Sequence, residues 1–177
     1  MIILKPIELE WVDGAEDDPS DQCAHAKVDF QINGTKFVVP EDSWTVSASA
    51  LYLLRTIEYN HDSQINVCES NFMFPCCGFN PYIVEGKFDL MIMGCNSGIN
   101  IYVEHRDNLV TIKSIDENIE EVTLEEWREA VSNFAMEIKT FYSSNQTKHE
   151  LIDVLDKEGW AKFWDEFNTR LDDAKNC

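Results

Sequence analysis

The chain has 177 residues, 44% of them hydrophobic and 11% aromatic, which suits one domain with an ample core and excludes global disorder. Thirty-three acids against 14 bases give a formal charge of −19; that sign repels nucleic acid and anionic membrane and attracts basic proteins or divalent cations. Acidity for solubility alone is the plain alternative to partner binding.

The first residues are apolar, but Lys5, Pro6, Glu8 and Glu10 interrupt them before the roughly 7–15 residues a secretory signal needs. No run approaches the roughly 20 apolar residues of a membrane span. The expected location is therefore cytoplasmic, and the six cysteines are read as mostly reduced thiols.

Ile7 to Val12 reads as a first extended segment, and Asp13 to Gln22, with Gly14 and Pro19, as a polar loop. The next signal is a hairpin. Val28, Phe30 and Ile32 alternate with polar residues, Asn33-Gly34 follows, and then come Thr35, Phe37 and Val39. Asn-Gly favours a type I′ turn because both positions need φ > 0. That turn predicts the pairs Ile32–Thr35, Phe30–Phe37 and Val28–Val39, with all six side chains on one face.

Asp42 or Ser43 is expected to cap a helix running to about Tyr59, with Val46, Ala50, Leu53, Leu54 and Ile57 as its apolar stripe. Asn66 to Phe74 reads as extended chain, and Pro75 to Phe79 as a turn. Phe88 to Met93, Ile99 to His105 and Leu109 to Ile112 read as three strands of a meander that extends the hairpin sheet. Thr123 to Glu126 matches a capping box, with Val122 placed to staple against Trp127. Leu124, Trp127, Val131, Phe134, Ile138 and Phe141 then recur at helical spacing. Leu151, Ile152 and Leu155 suggest a short helix, and Trp160, Phe163, Trp164, Phe167 and Leu171 a last one.

The expected fold is α+β: a mostly antiparallel sheet, hairpin plus meander, with one inserted helix and a C-terminal helical layer. A single domain is expected over 1–177, β-rich over 1–113 and helical over 114–177.

No Gly-rich phosphate loop, His-Glu-x-x-His, Gly-x-Ser-x-Gly or basic patch is present, so these residues point to no enzyme class. Structural zinc sites draw four ligands, usually from Cys pairs spaced by two to four residues, and no such pair exists. A set of Cys76, Cys77, Cys95 and His105 could assemble only on folding, and the preferred reading makes the cysteines small buried hydrophobes. A Cys–His nucleophile needs a cation beside the thiol, and only Lys87, His105 and Arg106 are near in sequence. No cofactor is expected.

The acids Glu16, Asp17 and Asp18 lack the spacing of a calcium loop. Asp116, Glu117, Glu120, Glu121, Glu125, Glu126 and Glu129 gather around a helix start. Favourable interaction with the helix dipole accounts for only some of them. The Trp160 to Phe167 stripe reads as core, or else as an aromatic docking strip with an acidic rim.

The stretches Glu10 to Gly14, Cys23 to His25, Ala50 to Thr56, Phe74 to Phe79 and Gly94 to Ile99 resemble an uncharacterised family of small bacterial proteins. That resemblance implies no activity and carries over no site residue. The acidic α+β build is also similar in character to immunity proteins of bacterial toxin systems.

The expected function is a protein-binding protein whose carboxylates engage a basic partner, such as a toxin domain that it neutralises. The expected contact residues are Asp116, Glu117, Glu120, Glu121, Glu125, Glu16, Asp17 and Asp18. The alternatives are a thiol- or metal-dependent enzyme using the Cys/His set, and an acidic structural or housekeeping protein.

Overall fold

A computed structural model describes residues 1–11, 22–61, 70–77, 80–86, 88–144 and 149–176. Strand β1 (Ile2–Glu10) begins well before the expected Ile7. Pro6 does not stop it, because β1 is an edge strand bonded only to β2 (His25–Ile32), and an edge tolerates a residue without an N–H.

At the Asn33-Gly34 turn φ is 52° and 91°, the left-handed pair of a type I′ turn. Strand β3 (Thr35–Val38) returns along β2. The expected register holds only beside the turn. Ile32 pairs with Thr35 and Gln31 with Lys36, but Phe30 pairs with Val38 rather than Phe37. Phe37 is the extra residue of a β-bulge, which turns both Phe37 and Val38 into the core and leaves Val39 exposed. The rings of Phe30 and Phe37 still stack, 5.2 Å apart.

The helix expected from Asp42 or Ser43 starts later. Ser43 belongs to β4 (Ser43–Thr45), which pairs with the other end of β2. Helix α1 (Val46–Arg55) follows directly, and no side chain caps it. The Ala24 carbonyl substitutes for a cap, accepting from Val46 N at 2.9 Å and Ser47 N at 3.4 Å. Every residue of α1 is buried, not only the expected stripe, because sheet and helices surround it.

Two short ladders follow: β5 (Phe74–Pro75) and β6 (Pro81–Ile83), paired respectively with β8 (Gly98–Ile99) and β7 (Leu90–Ile92). The meander is β9 (Ile101–Arg106), β10 (Leu109–Ser114) and β11 (Ile119–Thr123), in that order. Two expectations are corrected here. The meander is a sheet of its own and does not extend the hairpin sheet, and its third strand is β11 rather than Phe88 to Met93. The β-rich part therefore runs to Thr123. Ile101, Val103, Val110, Ile112 and Val122 form the buried face of this sheet.

Helix α2 (Leu124–Ser144) starts on the expected capping box. Thr123 N donates to Glu126 Oε2 at 3.0 Å, and Glu126 N donates to Thr123 Oγ1 at 3.2 Å. Its buried face (Trp127, Val131, Phe134 and Ile138) packs against α1 and β1. The expected short helix at Leu151 to Leu155 is absent; a single helix α3 (Val154–Asn176) begins there and packs on α1, α2, β6 and β7. Ile152, Val154 and Leu155 are exposed.

The chain is thus α+β, 36% helical and 34% strand, with antiparallel sheets and a C-terminal helix. At the centre of the core, Phe30 lies within 6.4 Å of the rings of Phe37, Phe74 and Trp127. Among the described residues no helix is long and apolar enough to cross a membrane.

Candidate functional site

Three of the cysteines depart from the reading as buried hydrophobes. Cys23 is buried, but Cys76 and Cys77 are exposed and Cys95 is half-buried. Their sulfurs lie within 4.8 Å of one another. The β5–β8 ladder brings them together, because Cys76 and Cys77 follow β5 and Cys95 precedes β8. Cys76 N donates to Ser97 O at 3.0 Å, one step beyond the Pro75–Gly98 pair. Gly98 is required at that crossing: a Cβ there would sit 2.7 Å from Phe74 O and 2.8 Å from Phe72 Cβ. The Tyr52 hydroxyl, on buried α1, bonds to Ser70 O at 2.9 Å and Ile92 O at 3.1 Å, pinning both loops that carry the cluster.

The thiols are coupled. A hydrogen bond from Cys77 to the Cys95 sulfur keeps the proton on Cys77, whose pKa is pushed up to about 12. The same hydrogen bond lowers that of Cys95, so the first proton to leave the pair comes from Cys95. His105 is not part of this cluster. Its Nε2 lies 2.8 Å from Thr56 O, and its backbone N–H donates to Asn60 Oδ1 at 2.9 Å. His25 Nε2 is 3.2 Å from Thr45 Oγ1. Among the described residues no imidazole or carboxylate joins the three sulfurs. Cys68 and Lys87 lie outside the described residues.

The acids near the start of α2, close together in sequence, face different surroundings in the fold. Asp116 and Glu117 are exposed at the β10–β11 turn, where Glu117 takes a left-handed φ of 66°. Glu121 is exposed on β11. Glu120 points the other way, accepting from Thr35 Oγ1 at 2.6 Å and Asn33 Nδ2 at 2.9 Å. These bonds tie the meander to the first hairpin and hold the Glu120 carboxyl below its usual range. Glu125 lines a separate cleft of about 600 Å³ with Arg128 and Lys175, between α2 and the end of α3. Glu126 is spent on the capping box. Glu16, Asp17 and Asp18 lie outside the described residues.

At the β10–β11 turn two isoleucines stand among the acids: Ile115 is 74% exposed and Ile119 60%. Among the described residues no hydrogen bond or ion pair engages the carboxylates of Asp116, Glu117 or Glu121. β11 is also a sheet edge, bonded only to β10. A second exposed apolar group, Ile152, Val154 and Leu155, differs in this respect. Its acids are engaged: Asp153 accepts from Leu155 N at 2.8 Å at the start of α3, and Glu150 pairs with Lys157 at 3.2 Å.

One charged knot was not visible in the sequence. Arg55, at the end of α1, forks onto Glu166 of α3 at 2.8 and 2.7 Å and donates to Leu90 O at 3.1 Å. Arg170 reaches the same carboxylate at 2.8 Å and Glu58 at 3.0 Å. The Phe88 ring lies 4.3 Å from the Arg55 guanidinium carbon. These charges satisfy one another and clamp α1 to α3, beside a cleft of about 330 Å³. The aromatic stripe of α3 is core: Trp160, Phe163, Phe167 and Leu171 are buried, and Trp164 packs edge-on to Tyr142 at 4.6 Å.

No family model, curated protein or solved structure matches this chain.

Proposed function

We propose that this chain is a protein-binding protein that docks a basic partner at the β10–β11 tip. The observation that carries the reading is the pairing of exposed apolar and unpaired acidic side chains there. Ile115 and Ile119 supply anchors that lose water on docking, and Asp116, Glu117 and Glu121 supply a rim of the sign the whole chain shares at −19. Such a rim acts mainly on the encounter rate, and the desolvated apolar anchors mainly on the residence time. A toxin domain that itself binds nucleic acid is a basic partner of the kind that fits, and neutralising it would make the chain an immunity protein. Glu120 and Glu125 drop out of the contact set, because Glu120 is turned onto the first hairpin and Glu125 faces another cleft.

The test uses the full chain as bait in an extract of its own cells, beside the variants I115S/I119S and D116N/E117N/E121Q. Asn suits position 117 because it tolerates a left-handed φ. The wild type is expected to retain a basic protein that high salt releases and that both variants lose. Equal retention by all three baits, or a retained protein that is acidic, overturns the reading.

A further inference from the structure

We propose that Cys76, Cys77 and Cys95 form a three-thiolate site for a thiophilic metal ion, Cu(I) or Zn(II), independent of the docking tip.

The first argument is distance. A metal–sulfur bond of about 2.3 Å in a trigonal array separates the sulfurs by about 4.0 Å. The three Sγ atoms already lie within 4.8 Å of one another, so closure needs side-chain rotation and no movement of the strands. The second is donor type. All three ligands are sulfur, and among the described residues no imidazole nitrogen or carboxylate oxygen joins them. Soft thiolate sets select Cu(I) and Zn(II) over the hard cations an acidic surface attracts by charge alone.

The third argument is construction. The ligands come from two chain segments that the β5–β8 ladder and the Tyr52 hydroxyl hold in register. The entropy of bringing them together is therefore lost in folding rather than in binding. The last is access: two of the three thiols face solvent, so an ion can be delivered and withdrawn. Each thiol gives its proton to solvent as its sulfur takes the metal, and uptake releases protons accordingly. Cu(I) is satisfied by three sulfurs, whereas Zn(II) keeps a fourth position for water or an incoming group.

The experiment loads the reduced full chain, without oxygen, with Cu(I) delivered as its acetonitrile complex or with Zn(II) as its chloride. Native mass spectrometry reads stoichiometry, and peptide mapping after iodoacetamide reads which thiols the ion protects. One ion per chain is expected in at least one arm, with Cys76, Cys77 and Cys95 protected together. C76S, C77S and C95S should each lose the ion, and C68S/C177S should keep it. The alkylation map uses the wild type alone, so it stands even where a variant folds poorly. The site is overturned by no stoichiometric uptake of either ion, by equal alkylation of the three thiols with and without metal, or by loss of the ion in C68S/C177S.

Discussion

Glu166 shows how one side chain can be stabilised by partners its own helix does not supply. Burial alone would raise its pKa, but the Arg55 and Arg170 guanidiniums outweigh burial and hold the carboxyl below its ordinary 4.5. A carboxyl depressed in the folded state contributes stability in full above its unfolded value. The contribution is lost as pH falls from about 4.5 through the folded value. Replacing Glu166 by Gln leaves Arg55 buried beside a neutral acceptor, at a cost of roughly 1.5–3 kcal/mol near pH 7, the worth of a hydrogen bond to a charged group. The gap in denaturation midpoint between wild type and E166Q should therefore be widest at neutral pH. It should close on acidification, as the wild type loses what the variant never had. A gap constant from pH 7 to 3 would show that the pair adds nothing through its charge.

Elements in this fold are placed by contacts that cross between them. Gly159 sits where α3 crosses β6, and a Cβ there would lie 1.8 Å from Pro81 O. Ala is the better helix former by about 1 kcal/mol. Overpacking typically costs about 1–3 kcal/mol, and here the obstacle is a backbone carbonyl that no rotamer change can move aside. G159A should thus lower the denaturant midpoint, by a net loss of up to about 2 kcal/mol. A midpoint raised by the helix gain alone would mean that α3 does not lie against Pro81. The same dependence on crossing contacts explains Glu120 of β11. An edge strand carrying Glu120 and Glu121 resists pairing with other chains, while Glu120 bonds to the first hairpin.

Across the whole molecule the excess of 19 negative charges repels itself, and compaction increases that repulsion. The ion pairs at Lys27–Glu8, Lys113–Glu104 and Arg170–Glu58 oppose it only locally. Salt shortens the screening length from about 30 Å at 0.01 M to about 8 Å at 0.15 M, which weakens long-range repulsion more than contact pairs. Thermal midpoints measured across that range should rise with NaCl. A falling midpoint would mean that the contact pairs outweigh the net charge.

The features legible in the sequence are those that neighbours along the chain decide. Asn33-Gly34 adopts two left-handed residues because few other dipeptides can, and Thr123 and Glu126 cap α2 because they lie one turn apart. The apolar stripes of α2 and α3 follow from periodicity alone, and with the hairpin they determine the α+β class. Tertiary pairing decided the rest. Whether Ser43 caps a helix or joins a strand depends on β2 offering a free edge. Whether Phe37 bulges depends on what packs above it, and whether Glu120 binds a partner depends on Thr35 and Asn33 lying across from it. Arg55 meets Glu166 at a separation of 111 residues, which no local pattern marks. The thiols are the sharpest case. Cysteine spacing argues against a metal site because zinc knuckles draw paired ligands from one loop, whereas here the three thiols come from two loops that only the β5–β8 ladder brings side by side.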